Sequence, residues 1–133
     1  MYLSMLSNEK KHLFLNLEIY MFRENNVFSD EEKQIIDAYC MEMHIDNNNY
    51  EADMPKDDVF SQLKDTLTLQ EKKIVFLEFV GSVMADDKFI AEEKTLVDKL
   101  AVLFELTEDE VQVAFSIISD LKTTYERCAD YIQ

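Results

Sequence analysis

The chain has 133 residues, the size of one domain, with 47% hydrophobic and 31% charged residues. That balance excludes global disorder and suits a single core able to bury about two-thirds of the unfolded chain's surface. Its 28 acidic and 13 basic residues give a formal net charge of −15, a sign that repels phosphate backbones and anionic headgroups and so excludes direct nucleic-acid binding. One glycine and one proline leave few breakers, which excludes a strand-and-turn architecture and favours an all-α fold with short polar loops.

In chain order, the first helix is expected over 8–24, where Leu13, Phe14, Leu15, Leu17, Ile19, Tyr20, Met21 and Phe22 occupy nearly every side. The amino-terminal stretch has no basic start, unbroken apolar run or small-residue cleavage site, and Glu18 interrupts it. Nowhere do 18 apolar residues run together, so no membrane insertion is expected and a cytoplasmic location is the default. Ser29 with Glu32 forms a capping box, a hydroxyl at the N-cap and a glutamate at N3, that starts a second helix over 30–45. The stretch 46–54 is the one long irregular loop. Pro55 followed by Asp57 and Asp58 starts a third helix over 56–67, since proline suits the first turn and carboxylates its positive end.

Thr68 with Glu71 opens a fourth helix over 69–85, again apolar all round through Ile74, Val75, Phe76, Leu77, Phe79, Val80, Val83 and Met84. A helix of that kind is buried on most sides, so 8–24 and 69–85 are expected to be the central pair, with Gly81 permitting a close backbone approach. A fifth helix is expected over 91–105, striped by Leu96, Val97, Leu100, Ala101 and Phe104. Thr107 with Glu110 starts a sixth over 108–122, and a last turn or short helix is placed at 124–132. The group Met21, Met41 and Met43 reads as core packing, as do the two lone cysteines, Cys40 and Cys128, which lack any paired spacing for zinc or redox work.

The chain also repeats itself. An offset of 61 residues lays 24–37 over 85–98, matching Phe28 with Phe89, Glu31 and Glu32 with Glu92 and Glu93, Lys33 with Lys94, and Asp37 with Asp98. The organisation expected is one domain over 1–133, a compact bundle of six to seven helices. A pseudo-twofold would relate repeat one, about 12–46, to repeat two, about 73–107. Phe28 and Phe89, each the lone large apolar residue kept in a polar turn, are expected to plug inward.

In the second copy, Ala85-Asp86-Asp87-Lys88-Phe89-Ile90-Ala91-Glu92-Glu93 resembles a pattern of the TerB-like family, which includes tellurite-resistance TerB proteins and the amino-terminal domain of DjlA-type co-chaperones. The stripe from Leu96 to Phe104 and the ending Leu103-Phe104-Glu105-Leu106-Thr107 are similar to that family as well. The resemblance covers roughly 12–120 and implies a duplicated helical fold and a stress-response or envelope-associated setting. Two positions depart from the pattern: the family glycine is Asp87 here and Asn26 in the first copy, and the family aspartate, kept as Asp86, becomes Asn25. Aspartate and asparagine tolerate the left-handed backbone that glycine would supply.

Asp86, Asp87, Glu92 and Glu93 together offer carboxylate oxygens of the kind hard divalent cations take, so calcium, magnesium or manganese is the expected ligand if the acidic turn binds one. Equally, glutamates at a helix start are favoured by capping and the helix dipole with no ligand at all. His12 and His44 read as surface histidines without an attached nucleophile motif, and no phosphate loop, HExxH or nucleophile elbow occurs, so no enzyme is expected. Two functional readings stand at this point. One is a TerB-like binding protein with a cation at the second acidic turn; the other is an acidic interaction module, such as an inhibitor, immunity or phage-encoded protein, that occupies a basic surface on a protein partner. The residues leave the oligomeric state open.

Overall fold

Helix starts follow from local hydrogen bonding. In the computed structural model, which describes residues 1–24, 28–46, 49–85 and 91–133, all three capping boxes form. Glu32, Glu71 and Glu110 donate their backbone N–H to Ser29, Thr68 and Thr107 hydroxyls at 3.1–3.2 Å and accept the N-cap N–H at 2.8–2.9 Å. They open α2 (Asp30–Met43), α4 (Leu69–Met84) and α6 (Glu108–Ile132). α1 (Asn8–Arg23) is capped by Ser7, whose hydroxyl accepts from the Lys10 N–H at 3.5 Å, and α3 (Lys56–Thr66) follows Pro55. α5 runs Ala91–Leu103, and a 3-10 turn over Leu3–Met5 precedes α1. Among the described residues there is no strand, and no helix is long and apolar enough to cross a membrane.

α1 and α4 lie at the centre, as their all-round apolar composition requires. α1 buries an unbroken run from Leu13 to Ile19, and α4 buries all but Leu77 from Ile74 to Val80. α1 packs on α2 and α3, α4 packs on α5 and α6, and α1 and α4 meet each other. The apolar stripes of the outer helices face this pair: Ile36, Cys40 and Met43 from α2, Val59, Phe60 and Leu63 from α3, Leu96, Val97 and Leu100 from α5, and Ala114 and Ile118 from α6.

Helix ends are set by backbone geometry. α2 stops where His44 turns left-handed (φ 57°), its N–H reaching Met41 O at 3.3 Å and that of Ile45 reaching Cys40 O at 2.9 Å. α5 stops in the same way at Glu105 (φ 54°), with Glu105 N–H to Val102 O and Leu106 N–H to Ala101 O, both 3.0 Å. These are Schellman closures made without glycine. The loop before Pro55 is held by side chains: Asn16 and Asp53 exchange two hydrogen bonds of 2.9 Å, and the Tyr50 hydroxyl donates to Asp37 at 2.8 Å.

Five expectations are corrected. α6 is one helix to Ile132, not a helix to 122 followed by a separate turn, because Lys122-Thr123-Thr124-Tyr125 holds no glycine or proline to break it and β-branched threonines only weaken a helix slightly. Gly81 marks no close approach, since a Cβ there would meet Ile118 Cδ1 at an ordinary 3.5 Å. Phe28 is half-buried beside Phe22 and Tyr50, with the Arg23 guanidinium 5.2 Å from its ring centre, so it is a rim residue and not a plug; Phe89 lies outside the described residues. Met41 is exposed, on the side of α2 opposite its stripe. Cys128 is exposed on the last turns of α6, while Cys40 is buried as expected.

Candidate functional site

Three places in the fold gather chemistry. The first is the acidic turn ahead of α5. Asp86 and Asp87 lie outside the described residues, so the structure places only Glu92 and Glu93 of the four. Glu92 is exposed and Glu93 is 9% exposed; as helix neighbours they point about 100° apart. Glu93 stands in register with Glu32, whose carboxylate caps the start of α2. Among the described residues no three acidic, histidine or cysteine side chains are grouped to hold a metal. His12 and His44 are both exposed, and the His12 ring is engaged with its own helix through Asn8 O at 2.8 Å.

The second place is interior. Glu18, in the middle of α1, is 0% exposed, and neither carboxyl oxygen has a hydrogen-bond partner. Burial pushes its pKa well above the usual carboxylate range; a nearby Ser82 hydroxyl opposes this and the Glu78 charge adds to it. The interior therefore favours the neutral acid. Ser82 is already committed, 2.8 Å from the Tyr39 hydroxyl and donating to Glu78 O at 3.2 Å. Tyr39 is raised too, first by burial and then by the Glu18 charge. Its ring stands edge-on to Phe14 at 5.1 Å.

Glu78 and Glu42 close over the start of the chain. The Met1 amino group bonds both carboxylates, 3.2 Å from Glu42, while Leu3 N–H reaches Glu42 at 3.2 Å and Tyr2 N–H reaches Glu78 at 3.3 Å. Burial alone would lower the amino group's pKa, and the two carboxylates outweigh it and raise it. Sequence reasoning did not single out this cluster. Its signal was present, because a charged residue inside a helix that is apolar on every side has no solvent face to reach.

The third place is a groove of about 290 Å³ between α4 and α6, floored by Phe76, Leu77, Leu106, Val113, Ala114 and Ile117. Lys73 from α4 and Glu110 from α6 form a 2.7 Å ion pair at its lining, which, with the capping bonds from Thr107, holds the Glu110 pKa down to about 2. Asp109 lines the same end. Such a surface can hold an apolar group and place a cation beside it.

Comparison with protein-family models, with curated proteins and with solved structures finds no match.

Proposed function

We propose that this protein is a non-enzymatic acidic binding protein that engages the basic surface of a protein partner from a cytoplasmic, TerB-like scaffold. The observation that carries the reading is the combination of a −15 charge with an open apolar groove whose lining includes Asp109 and Glu110. The buried acid Glu18 is sealed from solvent, which suits an interior structural role better than turnover of a substrate. The stress-response or envelope-associated setting comes from the resemblance of 85–93 and the stripe after it.

A pseudo-twofold relation of the halves is part of this proposal. α1 and α4 begin and end 61 residues apart, Ser7 and Thr68 cap them, and His44 and Glu105 close α2 and α5 in the same left-handed way. Lys10 and Glu71, themselves 61 apart, form an ion pair of 2.8 Å, a contact between equivalent positions of the kind that sits on a twofold axis.

A second reading places calcium, magnesium or manganese at Asp86, Asp87, Glu92 and Glu93; the burial of Glu93 at the first turn of α5 favours it. Thermal melting separates the two, because a ligand that binds only the folded state raises its stability. Titration with poly-L-lysine should give saturable stabilisation that weakens with salt. Calcium, magnesium and manganese should shift wild type and an Asp86→Asn, Glu93→Gln double variant alike, by screening. A saturable metal shift lost in the double variant would move the cation reading ahead, and an absence of saturable polycation binding would sink the protein-partner reading.

A further inference from the structure

The groove between α4 and α6 is bounded by apolar side chains that the fold leaves unused. Val113 is 56% exposed and Ile117 41% exposed, one turn apart on α6, while Leu77 is half-buried on the α4 side. Asp109, Val113, Ile117 and Asp120 follow one another at intervals of four, four and three residues, so they share one face of α6 and set an exposed carboxylate at each end of the apolar pair. Glu105, exposed at the left-handed corner beside Leu106, adds a third carboxylate near the Asp109 end. From Asp109 to Asp120 the face runs about 16 Å, the length of about three helical turns.

The groove is apolar along its floor, its lining cation Lys73 is paired with Glu110, and exposed carboxylates stand on the α6 face on either side of Val113 and Ile117, a pattern complementary to a third helix with the opposite one. We infer that the α4–α6 groove is the docking site for a basic amphipathic α-helix of the protein partner. Aliphatic side chains of that helix, spaced i, i+3 and i+4, enter the trough between Val113, Ile117 and Leu77, and its lysines or arginines meet Asp109, Glu105 and Asp120. Charge complementarity selects this occupant over a second copy of the chain, because a second copy brings another −15 to the same surface. The inference rests on the binding-protein reading and adds to it the site and the shape of the ligand.

The test uses synthetic peptides of about 16 residues with a fluorescent label, read by anisotropy against the full chain. One is a leucine/lysine peptide patterned as an amphipathic helix; the second has the same composition, scrambled to remove the apolar face. The patterned peptide should bind about tenfold or more tightly than the scrambled one, as expected when apolar anchors fill a pocket. Val113→Glu with Ile117→Glu should erase that preference while leaving the melting temperature unchanged, since both side chains are exposed. Asp109→Asn with Asp120→Asn should weaken binding several-fold and flatten its salt dependence. Equal binding of the two peptides, or an unchanged preference in the Val113/Ile117 variant, would overturn the groove while leaving the broader acidic-binding reading intact. Failure of both peptides to bind would overturn that reading as well. Concentration-dependent dimerisation in sedimentation, abolished by Ile117→Glu, would assign the groove to a second copy and overturn the proposal.

Discussion

α1 and α4 are the same length, are both capped by a hydroxyl, and sit at the same depth, yet their matched positions hold opposite chemistry. Where α1 puts Glu18, α4 puts Phe79, and both are 0% exposed. Where α1 puts Tyr20, whose hydroxyl reaches Met54 O, α4 puts Gly81. Each half thus buries polar groups at different positions: the first buries Glu18 and Asn16, the latter tied to Asp53, and the second buries Glu78 and Ser82, which reach across to Met1 and Tyr39. Their third helices differ as well. α3 has 11 residues, with Lys99 of α5 over its Phe60 ring at 4.2 Å, whereas α6 has 25 and continues well beyond its buried residues Ala114 and Ile118. Residues of the first half anchor the long loop, Glu42 and Glu78 from both halves hold the chain start, and the groove lies between α4 and α6.

Substitutions at four positions would break or sharpen that contrast. The largest effect belongs to the apolar interior: Phe79→Ala should lower unfolding free energy by about 3–5 kcal/mol, the range for a fully buried aromatic, in urea melts. A loss below about 1 kcal/mol would mean the second half repacks freely.

Its counterpart should act in the opposite direction. Glu18→Leu replaces an unpartnered buried acid with an apolar side chain and should gain about 1–3 kcal/mol at neutral pH. The pH dependence carries the sign. Because the folded pKa of Glu18 lies above its unfolded value of about 4.3, the stability it contributes is full below that value and is lost as pH rises through the folded pKa. Glu18→Gln does not titrate, so its melting temperature should pull ahead of wild type progressively from about pH 4.3 upward. Parallel pH profiles would mean that Glu18 is solvated in the working protein.

A smaller gain is expected at Gly81→Ala, about 0.5–1 kcal/mol, since the helix loses glycine's flexibility and the new methyl meets Ile118 at ordinary contact distance. Destabilisation there would restore the close approach that the sequence suggested. The smallest effect is on the far end of α6, where Tyr125 is 72% exposed: Tyr125→Ala should change stability by no more than about 0.5 kcal/mol. A larger loss in dilute solution would show that this end is covered.

The sequence by itself determined the helix starts, since Ser29, Thr68 and Thr107 bond to backbone three residues away and need nothing distant. It also determined the central pair, because α1 and α4 are apolar on every side and only burial on most sides accommodates that. The ends of α2 and α5 were not legible, since the expected helices ran over 30–45 and 91–105 and no glycine marks the left-handed turns at His44 and Glu105. The end of α6 was not legible, since no breaker marks it and packing near its start decides how far it persists. The burial of Glu18 was signalled by its place in an all-round apolar helix, but not its neighbours Tyr39 and Ser82, which arrive from other helices, nor the groove, which exists only where α4 and α6 lie side by side. Local hydrogen bonds and periodicity are written along the chain, whereas burial of a polar group and the shape of a surface are properties of what distant segments bring next to it.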